Sequence, residues 1–144
     1  MKLPIRSHVG VGPIRFGMSR EAVRSVVATP VRSFLKSPSS RVPTDAFDAA
    51  GIHVFYRQDG DCEAIELASP AEPTYEGQAL LGRPYHEVRA WLRSLDDSLE
   101  EDDAGLTAFR LGFGVFAPAA SSDAEKPVEA VIVFEAGYYE TGTL

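Results

Sequence analysis

Phe16-Gly17-Met18-Ser19-Arg20-Glu21-Ala22-Val23 is answered, in the second half of the chain, by Leu81-Gly82-Arg83-Pro84-Tyr85-His86-Glu87-Val88. Each stretch puts glycine after a large apolar residue, then a residue suited to start a helix, then valine. Two further blocks recur in the same order. Ala50-Gly51-Ile52-His53-Val54-Phe55 returns as Leu111-Gly112-Phe113-Gly114-Val115-Phe116, with Gly51 matched to Gly112. Glu63-Ala64-Ile65-Glu66-Leu67 returns as Glu129-Ala130-Val131-Ile132-Val133, with Glu63 matched to Glu129. Few positions are identical, but three blocks in one order and at nearly the same offset predict an internal duplication, with 1–72 as first repeat and 73–144 as second. Half of 144 residues is too little chain to be comfortably stable alone, so the repeats are expected to share a core as one pseudo-symmetric unit.

Each repeat reads as a helix followed by antiparallel strands, an α+β class. Ser19 suits an N-cap, Ala22, Val23, Val26 and Val27 fall on one helical face, and Thr29-Pro30 stops the helix. In the second repeat Pro84 suits a first helical turn, and Val88, Trp91, Leu92 and Leu95 recur at helical spacing, which makes Trp91 a core residue. Strands Ile52 to Tyr56 and Cys62 to Leu67 flank Gln58-Asp59-Gly60-Asp61, whose Asp-Gly pair signals a hairpin. The second hairpin, Phe113 to Ala117 and Val128 to Phe134, carries a longer connection through Ser121 to Lys126 that reads as a mobile surface loop. Lys36 to Ser40 reads as a loop and Ser69 to Pro73 as the joint between repeats.

Side chains alternate between the two faces of a strand. Ile52, Val54 and Tyr56 share a face with Ile65 and Leu67, and that set suits packing against a helix. The opposite face holds His53, Phe55, Arg57, Ala64 and Glu66 in the first repeat, and Gly114, Phe116, Ala130, Ile132 and Phe134 in the second. The second set is too apolar for a plain solvent face, so the other half, a second copy or a target protein should cover it. Tyr75, Tyr138 and Tyr139 are candidates to lie beside it, because tyrosine joins apolar area to a hydroxyl.

Charge excludes some partners. The chain has 14 Lys and Arg against 21 Asp and Glu, a net charge of −7, so a phosphate backbone would meet repulsion and nucleic acid is disfavoured. No stretch approaches the ~18 apolar residues of a membrane span, and one cysteine, Cys62, fits a reducing compartment, so the composition reads as cytoplasmic. Asp96-Asp97-Ser98-Leu99-Glu100-Glu101-Asp102-Asp103 packs six acids into eight residues. It lacks the order of a calcium loop and reads either as a solvated loop or as an electrostatic lure for a basic partner.

Catalytic motifs are absent from the sequence: there is no Gly-x-Ser-x-Gly, no P-loop, and Gly10-Val11-Gly12-Pro13 is a poor phosphate cradle because Pro13 has no N–H. His8, His53 and His86 lack metal-ligand spacing, Cys62 reads as an inert strand thiol, and neither a metal nor a cofactor is expected.

Ile14 to Pro30, with Gly17-Met18-Ser19 before the helix and Ala28 where the pattern has glycine, resembles the opening of the repeat in beta-lactamase inhibitor proteins and SmpA/OmlA outer-membrane lipoproteins. The second copy, from Leu81, keeps Gly82 and Val88 but not the Met-Ser pair. The resemblance implies tandem repeats whose sheets form one concave surface gripping a partner. It also implies a role for an acidic residue on the first-repeat hairpin, which falls on Asp59.

The leading expectation is a non-enzymatic protein-binding domain, of inhibitor or immunity type, that meets another, basic protein through the sheet face. His53, Phe55, Arg57, Asp59, Phe116, Ile132, Phe134, Tyr138 and Tyr139 are its candidate contacts, with the acidic run beside them. The alternatives are a small-ligand or enzymatic pocket between the repeats, and a homodimer joined through Phe55, Phe116, Ile132 and Phe134.

Overall fold

The computed structural model describes residues 2–139, a mixed α+β chain with two sheets. In order, β1 (Lys2–Arg6), β2 (Gly10–Val11) and β3 (Ile14–Arg15) lead into α1 (Arg20–Val27). Then come β4 (Arg32–Phe34), β5 (Thr44–Phe47), β6 (Ile52–Tyr56) and β7 (Cys62–Ala68). Next, β8 (Glu72–Tyr75) and β9 (Gln78–Ala79) lead into α2 (Tyr85–Leu95), followed by β10 (Glu100–Asp102), β11 (Gly105–Ala108), β12 (Phe113–Phe116) and β13 (Ala130–Phe134).

Eight strands form an antiparallel sheet in the order β10-β11-β12-β13-β7-β6-β5-β4, with β13 and β7 paired at its centre from Ala130↔Ala68 to Phe134↔Ala64. A smaller sheet, β3-β2-β1-β8-β9, is held across the chain by the parallel pair β1 and β8. Ile52, Val54, Ile65, Leu67, Phe113, Val115, Val131 and Val133 are buried on the inner face of the large sheet. They cluster with Val23 of α1, Val88 and Leu92 of α2, and Leu3, Ile5, Val11 and Ile14 of the small sheet. At about 1.5–3 kcal/mol for each fully buried large side chain, this cluster is the main favourable term in folding.

The two hairpins enter that sheet in matching ways. Gly17 N–H donates to Cys62 O at 2.9 Å and Cys62 N–H returns to Met18 O at 2.8 Å; Gly82 N–H donates to Val128 O at 3.0 Å and Val128 N–H returns to Arg83 O at 2.9 Å. Gly51 and Gly112 both take left-handed backbone, at φ 71 and 80, ahead of β6 and β12.

Four sequence expectations change. Ser19 caps α1 by accepting from Ala22 N–H, but α1 buries only Val23 and leaves Val26 about as exposed as Leu95 at the end of α2. The apolar stripe is short because α1 meets the sheet edge mainly through charge. Buried Asp45 of β5 accepts from Arg20 and Arg24 on Oδ1 at 2.8 Å each, from Arg24 Nε on Oδ2 at 2.9 Å, and from the Tyr56 hydroxyl at 3.0 Å. Burial alone pushes the Asp45 carboxyl up, but the hydrogen bonds of Arg24 and Tyr56 and the charges of Arg20 and Arg24 outweigh it and hold it below the usual carboxylate range. Trp91 is half-buried rather than central, set against Tyr75 at 6.1 Å with Arg83 over its ring. Pro84 is the N-cap of α2 rather than a first-turn residue. The connection from Ser121 to Lys126 is exposed but tied to α2, where Tyr85 and His86 N–H donate to Lys126 O and Ala124 O, satisfying groups at the helix start.

Candidate functional site

Both helices and the small sheet join the core on one face of the eight-stranded sheet, leaving the other face as the candidate site. Register places residues there in rows. Ala46, His53, Glu66, Ile132, Gly114 and Thr107 run across strands β5, β6, β7, β13, β12 and β11. Beside them run Ala68, Ala130, Phe116, Gly105 and Asp102.

Part of this face is covered by the chain itself. Phe55, Ala64 and Phe134 are buried in a small cluster with Phe109, Ile132 and Tyr138. Tyr139 meets Phe134 edge-on at 4.9 Å, Tyr138 stacks on it at 6.1 Å, and the Lys36 ammonium sits 4.2 Å over the Phe55 ring. Phe55 and Phe134, expected as partner or dimer contacts, are therefore core residues of this second cluster, because the tyrosines after β13 turn back over them. Burial pushes the Tyr138 hydroxyl up to about 12.

A cavity of about 800 Å³ lies beside this cluster, lined by Lys36, Arg41, Phe55, Arg57, Tyr138 and Tyr139 among others. Arg57 reaches Glu135 Oε1 at 2.6 Å and Asp59 at 3.4 Å. Asp59 accepts from Asp61 N–H at 3.0 Å; that bond first, and the charge of Arg57, hold its carboxyl low. The hairpin acid implied by the family resemblance is thus engaged in its own turn.

On the second half of the face the surface is open. Phe116 is 47% exposed, and with Ile132 it walls a groove of about 240 Å³ floored by Gly105, Gly114 and Ala130. A Cβ on Gly105 would stand 2.0 Å from Val115 O, and one on Gly114 2.7 Å from Leu106 O, so close backbone approach demands glycine at both places. Bare backbone is what opens the floor. Glu66 and Asp102 are the charged residues lining this groove. His53 lies half-buried between Glu66, at 3.6 Å, and Asp48, at 3.9 Å, with Phe34 edge-on at 5.7 Å.

The acidic run is not a uniform solvated loop. Asp96 is fully buried, because Ser98 supplies its N–H and hydroxyl and Arg110 its N–H at 2.9 Å. Burial pushes its carboxyl up, and those donors more than reverse the shift. Glu101 takes the Tyr85 hydroxyl at 2.6 Å and the guanidinium groups of Arg89 and Arg93, and the Tyr85 bond first holds it low. Asp102 Oδ1 accepts from Ala104 and Gly105 N–H at the turn into β11. Asp97 pairs with Arg110 in solvent, while Glu100 and Asp103 remain exposed.

Sequence reasoning missed Asp45, Arg20 and Arg24, and also Gly105 and Thr107 of β11. Arg20 and Arg24 at i, i+4 beside a lone acid in Thr44-Asp45-Ala46-Phe47 were the available signal for the first three. Burial, with the charge of Glu135 adding, raises the Cys62 thiol to about 12, so it stays protonated at neutral pH. Among the described residues no three His, Cys, Asp or Glu side chains gather as a metal site, and no helix is long and apolar enough to cross a membrane.

Comparison of the chain with protein-family models, with curated proteins and with solved structures finds no match. The chemistry of the sheet face therefore carries the functional reading.

Proposed function

We propose that the protein is a non-enzymatic binding domain of inhibitor or immunity type, built as two tandem helix-plus-sheet repeats, that holds another protein on the open face of its eight-stranded sheet. The observation that carries this is one-sided covering: the helices and small sheet pack on one face, and the other keeps Phe116 and the groove beside it exposed. An exposed aromatic next to a concave apolar patch is the usual form of a binding hot spot.

Three sets of equivalent positions support the tandem reading. Gly17 and Gly82 donate alike to Cys62 O, at the start of β7, and to Val128 O, just ahead of β13; Gly51 and Gly112 share left-handed backbone, and Ile52↔Leu67 corresponds to Phe113↔Val133 in pairing. These are the positions that the three recurring sequence blocks match to one another.

Affinity capture from the native host, comparing wild type with Phe116→Asp and Thr107→Arg, tests the reading. Both side chains lie at least partly in solvent, so the variants should stay folded and lose the partner. Folded variants that keep every partner captured by wild type would rule out the open face.

A further inference from the structure

We propose that the groove beside Phe116 seats a partner segment bearing one large apolar or aromatic side chain between two cationic residues; this rests on the sheet-face reading and names the partner's chemistry. At about 240 Å³ the groove is below the ~300–1,000 Å³ usual for a small-molecule pocket and suits a single large side chain. Phe116 and Ile132 form its apolar walls, and the glycine floor lets an incoming ring approach the backbone closely.

The ends of the groove are acidic. Glu66 on β7 stands at one end and Asp102 on β10 at the other, and no Lys or Arg lines the space between them. Neither carboxylate is paired with a Lys or Arg among the described residues: Glu66 has His53 Nδ1 at 3.6 Å, and Asp102 uses Oδ1 for its turn. Four strand spacings separate β7 from β10, about 19 Å on a flat sheet, too far for one guanidinium to bridge. An extended segment rising ~3.3 Å per residue spans that distance in about six residues. Two cations placed so, with a bulky apolar side chain between them, match the groove in charge and spacing. The net charge of −7 draws such a segment in from a distance. A second copy seated face to face would instead set its own Glu66 and Asp102 against these carboxylates.

The probe is the heptapeptide Arg-Ser-Gly-Trp-Gly-Ser-Arg, followed by backbone amide NMR on the whole chain, with a citrulline-for-arginine peptide as control. The expected result is a shift of the Gly105, Gly114 and Ile132 amides, with the citrulline peptide about fivefold weaker, the effect of losing two exposed ion pairs. In Glu66→Gln/Asp102→Asn the two peptides should bind equally; asparagine keeps an oxygen for the turn, and circular dichroism checks the fold. Equal affinities for wild type, or shifts confined to other residues, would overturn the proposal. If that happens while Phe116→Asp still loses the native partner, the sheet-face reading stands and the cationic segment falls. A dimer in sedimentation that Phe116→Asp dissociates would assign the groove to a second copy and likewise overturn it.

Discussion

Ala28 ends α1 in left-handed backbone, at φ 54 and ψ 35, where its N–H closes on Arg24 O. A Cβ there costs about 1 kcal/mol relative to glycine. Ala28→Gly is therefore expected to stabilise the fold by that amount, raising Tm by a few degrees in calorimetry. Asp45 makes the larger contribution at this scale. Its folded pKa lies below the unfolded value of about 3.9, so its stabilisation is complete above that value and is lost as pH falls through the folded one. Denaturation measured between neutral and acid pH should show stability dropping below about pH 4. Asp45→Asn should remove part of that slope and cost about 3 kcal/mol at neutral pH, because Arg20 and Arg24 then lose their charged acceptor. Helical pattern alone gives Arg20 and Arg24 no partner. Their role appears only once β5 brings Asp45 beside them from a separate element of the chain.

The elements depend on glycines whose needs differ. A Cβ on Gly51 would stand 2.1 Å from Ala68 O and 2.9 Å from Ala71 N, both backbone, whereas one on Gly82 would meet nothing within 4 Å. Both residues have positive φ. Gly82→Ala should cost about 1 kcal/mol from φ alone, and Gly51→Ala about 3 kcal/mol or more, since strand and turn must move apart. Urea unfolding of the two variants checks this; equal costs would mean that β6 and the turn after β7 do not approach as described. These glycines were legible because their spacing repeats. The hairpin β6–β7 was legible too, from alternation around Asp59-Gly60. Strands β10 and β11 were not: Glu100 to Asp102 has no apolar alternation, and an edge strand gets its backbone bonds from a neighbour rather than from its own pattern.

At the scale of the whole molecule, the central pair β13–β7 and the parallel pair β1–β8 each join the two halves of the chain. Residues 1–72 expressed alone lose β13 from the edge of β7 and most of β8 from β1, and should show the narrow amide dispersion of an unfolded chain by NMR. The sheet's second face divides in the same way between what the fold consumes and what it leaves. Phe134→Asp puts a charge into a buried ring cluster and should cost more than about 3 kcal/mol, while Phe116→Asp, at a half-exposed position, should shift stability by less than about 1 kcal/mol. Thermal unfolding of the pair distinguishes them. From local pattern alone the sequence determined the helix starts at Ser19 and Pro84, the glycine turns, the inner-face alternation and the apolar excess on the opposite face. Spacing and periodicity suffice for these because each depends on neighbours along the chain. Only the tertiary structure decided which of six acids in one run is buried, which arginines answer Asp45, and where on the sheet Tyr138 and Tyr139 supply the cover. Burial of a charge or a ring depends on donors and rings delivered from distant positions, and no local pattern records where those will come to lie.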